Sequence, residues 1–225
     1  MECLPTHLQS SRLGISNSNA HLNLNWLGLC DYDRALEIQS QCHDEVLSGG
    51  NEVILAMEHP LVVTLGKRGS LEHVAPHLWN SVRKTDRGGQ VTLHSPGQLV
   101  IYPIVSLGRH HLSVRDFVCL LMKTTSQVLQ EIGVATQLTD DQAGLVDLRN
   151  GGKIAFCGIR VENGVSRHGI SINIKNDLEL FRGIVPCGRQ EMAMSRTDSV
   201  VPLKSVAERW AQIFSLSCAK AEINF

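Results

Sequence analysis

The chain has 225 residues, 43% of them hydrophobic and 19% charged, with a formal net charge of −1. A chain of this size and balance buries a sizeable core within one domain, and the absence of any dense basic stretch argues against a nucleic-acid face. Apolar runs as short as Val118–Met122 exclude a membrane-spanning helix.

Residues 1–21 are polar, lack periodicity and read as a mobile extension, leaving 22–225 as a single domain. No apolar segment follows a basic start, so no signal peptide is read. Seven unevenly spaced cysteines without a Cys-x-x-Cys pair point away from zinc ribbons and disulfide frameworks. Together these features predict a reducing, cytoplasmic compartment, with thiols such as Cys119 buried among apolar neighbours.

The first predicted helix runs from about Asp31, as cap, to Leu47, and Gly49-Gly50 ends it. Glu52–Met57 and Leu61–Leu65 read as strands broken by His59-Pro60. Gln90–Leu93 and Gln98–Tyr102 read as two more, joined by the turn Ser95-Pro96-Gly97 and closed by Pro103. Ser113 to Asp116 reads as a capping box for a helix with Phe117, Leu120, Leu121, Thr124, Val128 and Ile132 on one face and Gly133 as its stop. Strands follow at 144–148, 153–162 and 167–174, the last two joined by an Asn163-Gly164 hairpin turn. Pro202–Phe214 is the final helix. Helices separated by runs of strands give an α/β (α+β) chain with a mixed, largely antiparallel sheet flanked by helices.

Four segments carry candidate chemistry. In Arg87-Gly88-Gly89-Gln90-Val91-Thr92-Leu93-His94, the glycines permit close backbone approach, Arg87 offers a planar fork of donors, and His94 ends a strand beside a tight turn. In Lys153-Ile-Ala-Phe156-Cys157-Gly158, strand alternation puts Lys153, Ala155 and Cys157 on one face and Ile154 and Phe156 on the other. A lysine at a strand start is ordinarily solvated; one facing a cleft is desolvated and suited to proton transfer. His168-Gly169-Ile170 lies on a strand whose alternation aligns His168 with Ile170, Ile172 and Ile174, where a histidine is commonly structural. Cys187, between Pro186 and Gly188, sits on a tight turn, a better setting for a reactive thiol than a core strand, provided that a cation such as Lys153 lies near. No Ser-His-Asp set, nucleophile elbow, phosphate-binding loop or zinc motif is present.

These segments, in this order, resemble the lipoyl(octanoyl) transferase family, related in fold to the lipoate and biotin protein ligases. The resemblance rests on Glu58-His59-Pro60, Thr64-Leu65-Gly66, the block from Arg87 to Gln98, Lys153 to Gly158, His168-Gly169 with Asn173, and Pro186-Cys187-Gly188, and it covers residues 24 to 215. It implies a lipoate/biotin ligase-like catalytic domain and an acyltransferase without a cofactor. Cys187 would take an octanoyl group from acyl carrier protein as a thioester. It would pass the group to a lysine amine on the lipoyl domains of 2-oxoacid dehydrogenases and the glycine cleavage H protein. Lys153 would tune the thiol, and Arg87–His94, Phe156–Gly158 and His168–Ile170 would bind substrate. No metal, nucleic acid or membrane is implied, and a monomer is expected. The chain departs from the family pattern at Leu93, Ser95, Lys175, Ser195-Arg196 and Gly144-Leu-Val-Asp147.

Two other readings share the fold or the binding surface. An ATP-dependent lipoate- or biotin-type ligase needs no nucleophilic cysteine, and the Pro-Cys-Gly setting argues against it. A non-catalytic protein that binds an acyl chain or a lipoyl domain would have no reason to keep both Cys187 and Lys153.

Overall fold

A computed structural model of the chain describes residues 22–141, 143–185, 192–197 and 199–223. The expected N-terminal extension and Cys187 lie outside these residues. No helix among them is long and apolar enough to cross a membrane.

Ten strands and three helices are described: β1 (Asn23–Leu29), α1 (Tyr32–Leu47), β2 (Val53–Glu58), β3 (Val62–Leu65), β4 (Val82–Lys84), β5 (Val91–His94), β6 (Gln98–Ile104), α2 (Val114–Glu131), β7 (Thr136–Leu138), β8 (Gly144–Asp147), β9 (Lys153–Glu162), β10 (Val165–Asn173) and α3 (Leu203–Ile223). Seven strands form one sheet in the order β1-β2-β6-β10-β9-β8-β7, and β4-β3-β5 form a second. Among the described strands only β1–β2 and β3–β4 pair in parallel, so the architecture is α+β on a mixed, largely antiparallel sheet.

The central strands β2 and β6 are buried on both faces, and their alternation sorts two cores. Ile54, Ala56, Leu99 and Ile101 pack with α2 and α3 around Phe117, Leu121, Trp210 and Phe214. Leu55, Met57, Val100, Tyr102 and Ile104 pack with Ala35 and Val46 of α1. A third core joins the small sheet to the large one through Val63, Leu93, Phe156 and Phe181. The small sheet is thereby fixed against one end of β9 and β10, where the candidate residues converge.

Local signals set the helix boundaries. Asp31 accepts from the backbone N–H groups of Asp33 and Arg34 at the start of α1. Ser113 and Asp116 form the reciprocal capping box of α2. Helix α3 continues well beyond the expected Phe214. Cys119 is exposed on the outer face of α2 rather than buried, because helical spacing from Phe117 and Leu121 turns it to solvent.

Gly158 of β9 lies directly opposite Gly169 of β10. A Cβ on Gly169 would press on the Ile101 carbonyl oxygen and lie 2.9 Å from Pro103 Cδ, so β6 runs closer there than any side chain permits. Gly169→Ala is therefore expected to cost about 1–3 kcal/mol by forcing the strands apart. That corresponds to a melting temperature lower by roughly 3–10 °C. Calorimetry of the variant checks it; an unchanged melting temperature contradicts the close packing.

Candidate active site

A cavity of about 400 Å³ opens between the small sheet, β9, β10 and the start of α1. The three expected substrate segments converge on it: Arg87 through Thr92 and His94, Phe156 through Gly158, and His168 through Ile170, together with Lys153. Leu93 does not reach it, because alternation on β5 turns this side chain into the third core, where it is fully buried. The lining draws on the α2/α3 core through Ile170 and on the α1 core through Val100 and Tyr102.

The Arg87 guanidinium shapes the loop that roofs the cavity. Nε and Nη2 donate to Thr64 Oγ1 at 3.0 and 2.7 Å, Nη2 also to the carbonyls of Thr64 (2.7 Å) and Gln90 (2.9 Å), and Nη1 to Gly88 O (2.9 Å). A planar fork meeting several carbonyls locks the loop's path. The Thr-Leu-Gly segment gains its sense here: Thr64 receives the guanidinium, and a Cβ on Gly66 would lie 2.6 Å from Gly89 O. The loop then docks on β9 through Gly88 N–H to Ile159 O (2.9 Å). Gln90 Oε1 and Thr92 Oγ1, both on lining residues, are buried without a hydrogen-bond partner among the described residues. Buried acceptors of this kind favour a ligand that brings donors.

Lys153 is 2% exposed, with its Nζ 5.1 Å from the centre of the Phe156 ring. Lysine and phenylalanine thus share a side of β9, against the strict alternation expected from the sequence. The cause is a β-bulge. Leu145 pairs with Ala155 and Val146 with Lys153, leaving Ile154 as the extra residue. Ile154 and Ala155 then both enter the α2/α3 core, and Lys153 is re-aimed into the cavity. Gly144 opposite leaves room for it, since a Cβ there would collide with Lys153 Cε and sit 2.9 Å from Nζ.

The chain returns to Lys153 just after Cys187. Lys153 N–H donates to Ala193 O (2.8 Å), and Ser195 N–H to Lys153 O (2.9 Å). Ser195 Oγ donates to Asp147 Oδ2 (2.7 Å), and Asn173 Nδ2 donates to Ser195 O (3.0 Å). The Asp147 side chain is fully buried and also accepts from Arg149 N–H (2.9 Å), Nε (3.0 Å) and Nη2 (2.7 Å). The Arg149 bonds, followed by that of Ser195, hold its carboxyl at about 2.

Three histidines lie at or beneath the cavity. His94 is buried, with Nδ1 2.6 Å from Gln98 Oε1, and burial depresses it to about 3. His59 spans from Cys30 O (2.7 Å at Nδ1) to the Tyr102 hydroxyl (3.0 Å at Nε2), and burial lowers it as well. His168 departs from the expected alignment with Ile170. It adopts a left-handed φ of 56°, and its ring meets Tyr102 edge-on and Asp86 Oδ1 through Nε2 at 2.7 Å. Its N–H donates to Gln39 Oε1 of α1 (2.7 Å). Burial lowers His168, partly offset by Asp86. That bond, with nearby Arg167 and Arg160, holds the Asp86 carboxyl at about 2.

Cys157 shares the cavity with Lys153, but burial pushes its thiol up to about 12, and the attraction of Lys153 offsets this only in part. A thiol so placed stays protonated and unreactive. Tyr32, Arg68, Tyr102, Val118 and Asp141 also line the cavity and were not picked out from sequence. Tyr32 and Val118 open their helices or lie along them with no local mark of a site. Tyr102 had a signal, its place on the strand that leads out of the Arg87–Gln98 block.

The family model described as the lipoyl protein ligase A/B catalytic domain matches residues 31–214. The octanoyltransferase of Dichelobacter nodosus is 42% identical over 71% of this chain and 80% of its own length. That of Alkalilimnicola ehrlichii is 36% identical over 91% and 94%. Among solved structures, lipoate-protein ligase A bound with ATP aligns with a TM-score of 0.68 at 14% identity, over 88% of this chain and 85% of that one. The bipartite lipoate protein ligase of Thermoplasma acidophilum aligns with a TM-score of 0.67 at 13% identity, over 88% and 84%. These structural likenesses concern the fold alone.

The Asp147 carboxylate generates a prediction with a definite sign. Its folded value lies below the ordinary carboxylate value of 3.8, so its contribution is complete above that value and is lost as pH falls toward 2. Asp147→Asn is expected to lose on the order of 2 kcal/mol at neutral pH, and the gap to the parent should shrink at about pH 3. Urea unfolding at both pH values checks this; a gap of equal size at both removes the charge from the explanation.

Proposed function

We propose a reaction for this chain from the premise that it belongs to the lipoyl protein ligase A/B catalytic domain family. It is an acyltransferase, and the reading is octanoyl transfer in protein lipoylation. The donor is octanoyl-acyl carrier protein, and the acceptor is the ε-amine of a lysine on a lipoyl domain. The Cys187 thiolate attacks the donor thioester carbonyl, forms a new C–S bond and expels the carrier thiol, which takes up a proton. The acceptor amine, uncharged, then attacks the Cys187 thioester. A C–N bond forms, the C–S bond to Cys187 breaks, and the proton lost from nitrogen leaves through Lys153 and solvent. The first step exchanges one thioester for another of similar energy and the second runs downhill to an amide, so the donor is already activated and no ATP enters.

The observation that carries this reading is a buried lysine amine facing a cavity walled by all three candidate segments. Chain connectivity supports the partnership. Cys187 lies six residues before Ala193, whose carbonyl binds Lys153 N–H, and so stays within about 20 Å of that point at full extension. Burial, which pushes the Cys157 thiol up to about 12, disfavours it as the nucleophile and supports another thiol in that role. A cavity of about 400 Å³ suits a small acyl chain, and burying the tail contributes roughly 5 kcal/mol at about 0.8 kcal/mol per methylene.

Intact-mass spectrometry after mixing with octanoyl-acyl carrier protein tests the mechanism. The parent should gain one octanoyl adduct that hydroxylamine removes, and Cys187→Ala should gain none. Lys153→Ala should acylate more slowly by about 10²–10⁴-fold while remaining folded. An adduct on Cys187→Ala, or efficient transfer from free octanoate with ATP alone, overturns it.

A further inference from the structure

A chain of one-way hydrogen bonds links the segment beside Lys153 to His94. It begins at Ser195 O, which as a backbone carbonyl can only accept. Asn173 Nδ2 donates to it at 3.0 Å, which fixes the orientation of that amide. Asn173 Oδ1 therefore faces the other way, accepting from Gln98 Nε2 (2.9 Å) and Asn176 Nδ2 (3.1 Å). Gln98 Nε2 donates a second time, to Leu93 O (3.3 Å), another carbonyl. With its nitrogen so committed, Gln98 presents Oε1 to His94 Nδ1 at 2.6 Å. An amide oxygen only accepts, so Nδ1 carries the ring's proton. Gln98 and Asn173 are fully buried, so no water competes for these positions.

We infer that Ser195 O, acting through Asn173 and Gln98, holds His94 as the Nδ1–H tautomer, so that its bare Nε2 lone pair accepts an N–H of the incoming amine. Nε2 has no hydrogen-bond partner among the described residues, and the side chain lines the cavity. Of the reacting groups, the octanoyl chain and its thioester offer no N–H; the acceptor lysine does. An acceptor that stays uncharged orients the amine without capturing its proton, leaving the nitrogen lone pair for the carbonyl. His94 touches substrate in this account, while Gln98 and Asn173 are positioning residues. Because Ser195 also bonds the Lys153 backbone, one short segment sets both the lysine and the histidine.

The inference rests on the octanoyl-transfer reading, and its test separates the two. Nitrogen-15 NMR of histidine-labelled protein reads the tautomer directly, without any variant. His94 should show a protonated Nδ1 and a bare Nε2 from neutral pH to the onset of acid unfolding. The opposite tautomer, or an average of the two, overturns the inference. In Gln98→Glu one carboxyl oxygen faces Nδ1 while the other meets Asn173 Oδ1 and Leu93 O in place of a donor. Once the same NMR shows His94 charging at higher pH in this variant, Nε2 is a donor. Transfer from preformed acyl-enzyme to the lipoyl domain should then fall at low pH, its acid limb displaced upward by about one pH unit or more. Acylation by octanoyl-acyl carrier protein should change less than about twofold. An unmoved acid limb, or equal losses in both half-reactions, also overturns it. If the parent forms no acyl adduct, the Cys187 reading fails instead, and the same pH profile on overall turnover against lipoyl-domain concentration decides the inference.

Discussion

Burying the Lys153 amine is the constraint around which this end of the molecule is built. A lysine nearly free of solvent contact needs space, an aromatic face and a backbone held from both sides. The bulge at Ile154 turns the side chain away from the α2/α3 core, Gly144 leaves the space, and Phe156 supplies the ring. The returning chain at Ala193 and Ser195 holds the backbone. A glycine on one strand, a bulge on the next and a loop from far along the sequence thus answer one requirement, and none would be needed if Lys153 were a solvated residue at a strand start.

The roof of the cavity follows a different logic. Arginine is kept there for geometry: a rigid fork joins Thr64, Gly88 and Gln90, and through them ties the small sheet to β9. The charge of Arg87 also bears on the histidines beneath, helping to depress both His94 and His168. Burial is the larger cause, and the cations around the cavity add to it in favouring neutral imidazoles that can accept hydrogen bonds.

Much of this was legible in the sequence, for reasons particular residues make plain. Asp31, Ser113 and Asp116 act within one turn of chain, so the caps of α1 and α2 could be read locally. The apolar runs of β2 and β6 were visible as strands between turn residues, but strand alternation was a poorer guide to which way side chains face. It failed at Lys153, where a bulge adds a residue, and at His168, where a left-handed φ rotates the strand. Both depend on partners distant in the chain. Leu93 was swept into the substrate segment by its neighbours, though alternation on β5 alone turns it inward. Strand β1 escaped notice because its half-exposed pattern only gains meaning beside β2.

The departures from the family pattern also take on order once the fold is known. Asp147 and Ser195 are separate deviations in sequence, 48 residues apart, yet Ser195 Oγ donates directly to the Asp147 carboxylate. A buried carboxylate is costly unless it is paired and hydrogen-bonded, and the Ser195 hydroxyl supplies one of the bonds it needs. Together, with Arg149 supplying the charge and its Nη2 also reaching Arg196 O, they form a closed cluster beneath the Lys153 backbone. The two positions therefore act together in anchoring the returning loop. They leave the lining of the cavity untouched, because Asp147 and Ser195 both face the interior behind Lys153 rather than the space in front of it.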